Sequence, residues 1–409
     1  MSEPAVAPGR RRAARAAALT FFCHGVYFAS WTAHIPHVQA ALGLSSSQLG
    51  LVLLGAPIGV VSAMAAASRL LPRWGSRRAV QVSVLGYCLA GPLVAVAPSP
   101  ALLFAGLFVW GAFQATLDVA MNTQGIAVER AQRRRLMAGL HACWSLGAFA
   151  GAGIGAAAVA AGVPLATQLL ALAAVIVLLV LLLSGAMLDD ADPVPESPLP
   201  AAPPRRLLRS RSILALAAIA FAALLCEGAA ADWSAVYMRR EVHVSAGFAG
   251  LAYTVFACAM VAIRLAGNRL LDHFSADRLL AVLAAIATGG MAVALAVGGS
   301  AAALIGFACL GVGLGSIVPS MYSAAGRVPG TQVGAAVSTV AALSYCGFVC
   351  GPPLIGGLSG LVSLRGALVL VPVLTGIATV LIARTPALRS PHPGADRTEP
   401  RRRAGAAVS

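Results

Sequence analysis

A chain of 409 residues that is 59% hydrophobic and only 11% charged does not have the makeup of a soluble domain, in which about 25% of residues are charged. Its net charge of +15 comes from arginines in short clusters between apolar runs, with no lysine, a pattern that argues against a nucleic-acid-binding face. There is no P-loop pattern, no dinucleotide glycine fingerprint and no dense His, Asp and Glu cluster near one interface, which argues against ATP-driven transport and against a membrane enzyme.

Taken in chain order, apolar runs between turn signals predict an all-α polytopic membrane protein with twelve transmembrane helices. Each run is long enough to cross a hydrocarbon core of about 30 Å at about 1.5 Å per residue. Residues 1–15 form an N-terminal tail. A first six-helix lobe, 16–187, has spans near 16–40, 47–71, 79–97, 101–127, 138–161 and 164–187. The arginines before the first span imitate a signal peptide, but no small-residue cleavage site follows, so the run reads as an uncleaved helix. Residues 188–212 are Pro-rich and charged without hydrophobic period, the pattern of a flexible linker. The second lobe, 213–384, has spans near 213–238, 247–271, 278–297, 300–324, 332–358 and 364–384, and 385–409 form a C-terminal tail. Eight cysteines fall inside these spans without metal-site spacing and read as packing residues. No cofactor or metal is implied.

Arginine placement sets the expected orientation. With the N-terminus inside, 26 of 29 arginines are cytoplasmic and only Arg239, Arg240 and Arg365 lie outside. Both termini and the 188–212 linker are therefore expected in the cytoplasm. The two halves also repeat. "SRLLPRWGSRR" from Ser68 returns as "NRLLDHFSADR" from Asn268, and Ser45, Gly50, Gly147 and Gly151 return as Ser245, Gly250, Gly347 and Gly351, all at an offset of 200. Parallel repeats of six spans are the plan of two-lobed secondary transporters, with substrate held near the midplane between lobes.

A charge in the hydrocarbon region is costly unless it faces a cavity or a partner, so the few polar residues inside spans are the candidates for function. Gln114, Asp118 and Asn122 in the fourth span are spaced four apart and share one helix face. His141 in the fifth span reaches a similar depth, and an Asp118–His141 hydrogen bond or ion pair is expected. A carboxylic acid and an imidazole are also the groups that load and shed a proton. The seventh span carries "CEGAAADW", in which Glu227 lies just past the midplane and joins Asp118 and His141 as a proton-coupling candidate. Asp232 is expected near the outer interface facing Arg239 or Arg240, in a structural or gating role. His24, Trp144, Tyr322 and Tyr345, with Gln114 and Asn122, are candidate substrate contacts, because aromatic rings facing a cavity stack on flat ligands. Pro319 is expected to kink the tenth span, and the glycines of "GAFAGAGIGA" are expected to bring helices close.

These residues resemble the major facilitator superfamily. "SRLLPRWGSRR" is similar to its cytoplasmic loop signature, with Arg73, Gly75, Arg77 and Arg78 in place, Ser68 at the glycine and Pro72 at the aspartate. In the second half Asp272 supplies the aspartate. The resemblance implies that these residues belong to a gate. "LDVAMN" at 117–122 resembles the fourth helix of fucose-permease-like transporters. "CEGAAADW", "HACWSLG" and "YCGFVCGPPLIGG" resemble the bacterial YbjJ-type inner-membrane branch. The resemblance spans residues 15–385 and implies that Asp118 handles the proton. It also implies a monomeric multi-pass protein of the inner membrane, whose partners are a small-molecule substrate, protons and the lipid bilayer, with no nucleic acid. The function expected is secondary active transport of a small polar, sugar-like solute by alternating access with proton coupling. A proton-driven exporter of drugs or metabolites is the competing reading, and a non-transporting receptor on the same fold is a third.

Overall fold

The computed structural model describes residues 8–134, 136–189 and 206–388. Among these residues there is no strand. Of the expected tails, residues 1–7 and 389–409 lie outside the described residues, as does most of the 188–212 linker. Residues 8–15, expected in the N-terminal tail, instead form the first turns of the helix Pro8–Ser30, and Pro386–Leu388 form a short 3-10 turn.

The first half contains α1 (Pro8–Ser30), α2 (Ile35–Ala41), α3 (Ser46–Leu53), α4 (Gly55–Ala95), α5 (Pro100–Gln132), α6 (Met137–Ala160) and α7 (Leu165–Ser184). The second contains α8 (Arg211–Arg240), α9 (Ala246–His273), α10 (Ala276–Val297), α11 (Ser300–Leu314), α12 (Ile317–Ala325), α13 (Val333–Leu361), α14 (Leu364–Ala367) and α15 (Leu370–Arg384). Eleven stretches among the described residues are long and apolar enough to cross a membrane. The run within α1, whose first turns carry Arg10, Arg11, Arg12 and Arg15, is not one of them.

Serines set the helix starts. Ser45 accepts from the Gln48 N–H while the Gln48 side chain takes the Ser45 N–H, a reciprocal cap that begins α3. Ser99, Ser210, Ser245 and Ser363 cap α5, α8, α9 and α14 one-sidedly, each hydroxyl accepting from the N–H three residues on. The second predicted span begins in α3, breaks at Leu54 and runs on in α4, where it is continuous with the third except at Gly75, whose φ of 71° and ψ of 155° interrupt the helix. Residues with a Cβ rarely adopt that conformation, which accounts for glycine at this point of the loop signature. The tenth predicted span is broken into α11 and α12 at Gly315 and Ser316, one turn before Pro319. Proline has no N–H for the carbonyl four residues back, and its ring crowds that carbonyl.

Glycines bring the helices together. A Cβ at Gly147, Gly151 or Gly155 would lie 2.1, 2.2 and 2.2 Å from the carbonyl oxygens of Phe22, Val26 and Ser30. Steps of four residues on both partners make a continuous seam between α1 and α6, as the small-residue spacing predicts. The second half repeats it: a Cβ at Gly347 of α13 would lie 2.4 Å from the Phe221 carbonyl oxygen of α8, and one at Gly351 would lie 3.6 Å from that of Leu225.

The halves meet through two further pairs, α3 with α13 and α6 with α9. Gly50 lies against the Pro352 carbonyl, and Ser47 donates to the Gly356 carbonyl at 3.0 Å. Gly250, its equivalent in the repeat, lies against Ala156 and Ala33, and Gly247 against Ala160. All these contacts are at one end of the bundle, the end opposite Arg73, Arg77, Arg78 and Arg130.

Candidate substrate and proton site

Six helices bring polar groups to the space between the halves. On α5, Gln114 and Asn122 are half-buried and Asp118 is exposed, while Leu117 and Met121 between them are buried. The face expected from their spacing is therefore the one left open. Asn122 Nδ2 donates to the Asp118 carbonyl at 2.8 Å and to its carboxylate at 3.3 Å. Across the space, Asp118 is within electrostatic range of Tyr345 on α13, which lies edge-tilted against Phe348 with 5.8 Å between rings.

On the opposite side Glu227 of α8 is half-buried and within electrostatic range of Arg264 and Tyr253 of α9 and Tyr322 of α12. The Tyr322 hydroxyl is 3.1 Å from Ser344 Oγ of α13. Glu227 makes no hydrogen bond and, like Asp118, no ion pair among the described residues.

Two expected pairings do not form. His141 does not reach Asp118; its ring packs edge-on against Phe21 at 5.3 Å and lies in range of Arg264. Equal depth places two residues at one level, but it does not turn them toward each other. Asp232 does not pair with Arg239 or Arg240. Arg239 donates to the Val244 carbonyl, and Arg240 donates to Ser46 Oγ at 3.1 Å. Asp232 is half-buried and, like Glu227, acts on Tyr253. The loop between α8 and α9 needed the arginines for its own carbonyls and for the contact with α3.

His24 is buried, 4% exposed, and lies behind the open face. Its Nδ1 accepts from Trp144 Nε1 at 3.0 Å, and its ring stands edge-on to Tyr87 at 5.4 Å. The half-buried Trp144 is the member of this pair placed toward the space.

At the arginine-rich end, Arg73, Gly75, Arg77 and Arg78 line a cavity of about 470 Å³ with Trp74, Gln81 and Asp189. Arg77 pairs with Asp189 at 3.1 Å. Asp189 lies four residues after Gly185, the C-cap of α7. The Asp272 side chain lies outside the described residues. No group of three or more His, Cys, Asp or Glu among the described residues could hold a metal ion.

Sequence reasoning missed Arg264 by grouping it with the arginines that follow. It lies nine residues before the end of α9, about 14 Å in at about 1.5 Å per residue. The apolar "ACAMVAI" before it and "LAG" after it are the signal that places it inside a span. Glu129 was also missed. Its carboxylate accepts from the Leu136 and Met137 N–H groups at 2.6 and 3.0 Å, satisfying donors at the start of α6.

The sequence matches the profile of the Major Facilitator Superfamily over residues 16–325 and 216–408. The chain belongs to this superfamily. It is 32% identical over 349 residues to an uncharacterized MFS-type transporter of Yersinia pestis, covering 85% of this chain and 89% of that one. It is 31% identical over 384 residues to the membrane protein MosC of Rhizobium meliloti, covering 92% of each. Among solved structures, the MFS transporter FucP in its outward conformation matches 91% of this chain and 98% of its own at a TM-score of 0.61 and 18% identity. The nucleoside transporter NupG matches 93% and 99% at 0.68 and 13%. This major facilitator protein is thus a multi-pass membrane protein and a secondary transporter, not an enzyme.

Proposed function

We propose that this transporter moves a small polar, sugar-like solute across a bacterial inner membrane, coupled to protons. The observation that carries the reading is the pair of acids on opposite walls of one space. Asp118 has only Asn122 as a hydrogen-bond partner, and Glu227 has none among the described residues. Unpaired carboxylates inside a membrane bundle are costly unless protonation is part of their work. Gln114, Asn122, Trp144, Tyr322 and Tyr345 offer amide and hydroxyl groups and ring faces to a hydroxylated ligand. His24 acts through Trp144 by holding its indole N–H. His141 is the third proton-coupling group, and Asp232 and the Arg73–Arg78 segment with Asp272 serve the gates.

Six helices on each side, with α1 as the twelfth span, form two lobes that rock about this site as a monomer, both termini in the cytoplasm. The similarity to a structure described as a fucose:proton symporter from E. coli supports the choice of solute and ion. The test is uptake by the purified chain in proteoliposomes under an imposed pH gradient, with a panel of hexoses, sugar alcohols and nucleosides. A hit should accumulate with the gradient. Asp118→Asn should abolish gradient-driven accumulation and keep solute exchange at equal concentrations. If the Asn variant accumulates solute as well as wild type does, Asp118 carries no proton and the reading fails.

A further inference from the structure

We propose that Arg264 couples the charge on Glu227 to the contact between the halves. It bridges to Ser145 of α6 while Glu227 is protonated, and it turns to Glu227 when that acid ionises. The proposal rests on the proton-handling role given above to Glu227.

The placement of Arg264 follows from the break between α11 and α12. A Cβ at Gly315 would lie 2.2 Å from Ile263 Cγ2 and 3.1 Å from the Met260 carbonyl. Glycine there lets α9 pack directly on the break. Pro319 cannot donate to the Gly315 carbonyl, and Arg264 Nε fills that place at 3.1 Å. The base of the guanidinium is thus fixed by a backbone acceptor that only a proline four residues later leaves free.

The rest of the guanidinium has two possible partners. Nη1 donates to Ser145 Oγ at 2.7 Å, on a helix of the other half. Ser145 is itself tied to the His141 carbonyl at 3.1 Å. Its hydroxyl is a neutral acceptor. Glu227, on α8, is within electrostatic range and has no hydrogen bond of its own among the described residues. A guanidinium–carboxylate pair is roughly twice as strong as a neutral hydrogen bond and is often bidentate. Ionisation of Glu227 therefore favours withdrawal of Nη1 from Ser145, and protonation favours its return.

The titratable and charged groups facing Arg264 are Glu227 of α8, His141 of α6 and Tyr253 of α9. Those facing Glu227 are Arg264, Tyr253 and Tyr322. Phenols and guanidinium keep their charge state near neutral pH, which leaves Glu227 and His141 to respond. His141 acts in the opposite sense, since a protonated imidazole on α6 repels Arg264 from that helix.

The Arg264–Ser145 bridge lies toward the arginine-rich end of the α6–α9 contact. At the far end the same two helices are joined by Gly247 on Ala160 and Gly250 on Ala156, with no charged group in either contact. Protonation of Glu227 thus acts on one end of the interface alone, as alternating access requires.

Pulsed electron spin resonance on the full-length chain in lipid nanodiscs tests this without any substrate. The nitroxide pair is placed at Leu146→Cys and Leu265→Cys, positions 49% and 64% exposed, with the native cysteines replaced by alanine. The short α6–α9 distance should dominate at about pH 4 and recede at about pH 8.5, on either side of the carboxylate range. Glu227→Gln should hold the short distance at both pH values, and Ser145→Ala should lose it at both. His141→Asn should keep the pH response. Arg264→Lys, a point charge without the two-way fork, should lose the short distance at low pH. A distance that ignores pH in the unsubstituted chain overturns the coupling, as does a response that survives Glu227→Gln or vanishes with His141→Asn. Gradient-driven uptake that persists beside a pH-insensitive distance overturns this inference alone. Absence of such uptake overturns the transport reading itself.

Discussion

Replacing Gly151 by alanine tests the seam that holds α6 to α1. The new Cβ would sit 2.2 Å from the Val26 carbonyl oxygen and 2.8 Å from its carbonyl carbon and Cα. A comfortable carbon–oxygen approach is about 3.3 Å, so the helices must part by about 1 Å. The shift cannot stay local. Gly147 and Gly155 hold the same seam one turn away on either side, and Gly25 of α1 lies as close to the Trp144 carbonyl. A gap of about 0.5–1 Å forfeits a quarter to a half of each dispersion contact along the row. Overpacking of this kind costs about 1–3 kcal/mol, against about 1 kcal/mol returned by the better helix propensity of alanine. Gly153, two residues along the same helix, has no heavy atom within 4 Å of its would-be Cβ. Gly153→Ala therefore keeps the propensity gain without the clash. Because both variants share the propensity gain, they should differ by the overpacking cost alone, about 1–3 kcal/mol, read as a lower Tm for Gly151→Ala in one detergent with aggregation followed by size exclusion. Equal melting temperatures for the two, or a more stable Gly151→Ala, would refute the seam.

Trp144→Phe should destabilise by about 1–3 kcal/mol, because it leaves His24 Nδ1 buried without its donor while Nε2 already has no partner. Adding His24→Phe should recover part of that loss in the same thermal assay. Pro319→Ala restores an N–H to the Gly315 carbonyl now served by Arg264, so unfolding temperature should hold or rise while solute flux in proteoliposomes falls. A variant with full flux would make the helix break incidental to transport. Ser45→Ala removes the reciprocal cap at the start of α3 and should cost about 1 kcal/mol, visible as faster amide hydrogen exchange confined to the first turn after residue 45.

Helix positions were legible because a bilayer leaves the chain few choices. Apolar length fixes a span, and eleven of the twelve predicted runs fall on the apolar helical stretches among the described residues, while the first, drawn from residue 16, begins eight residues into α1. The glycine seam was legible for a related reason, since small residues four apart have one use on a membrane helix. Partner choice was not legible. Rise per residue gives the depth of Asp118 and His141, but whether they meet depends on how α5 and α6 are turned against their neighbours. Asp232 was given an arginine because Arg239 and Arg240 are near in sequence, yet those guanidiniums answer to Val244 and Ser46. Arg264 was hidden by neighbouring arginines, and its role depends on a carbonyl freed by Pro319, 55 residues further on.

The internal repeat separates scaffold from chemistry. Gly147 on Phe22 and Gly151 on Val26 return as Gly347 on Phe221 and Gly351 on Leu225, so α1 and α8 correspond at an offset of 199 while the helices after them keep 200. Gly50 against α13 returns as Gly250 against α6. What repeats is close packing. In that register Glu227 corresponds to Phe28, Arg264 to Met64, Asp118 to Val318 and His141 to Ala341. Each charged group of the central space therefore has an apolar counterpart in the other half. A symmetric pair of carboxylates at one level would repel across a narrow space. Staggering instead sets each acid of one half opposite a neutral wall of the other. The same asymmetry leaves Arg264 without a counter-cation, so only one side of the α6–α9 and α3–α13 pairs has a guanidinium to release. The site is the set of positions at which the two halves stop resembling each other.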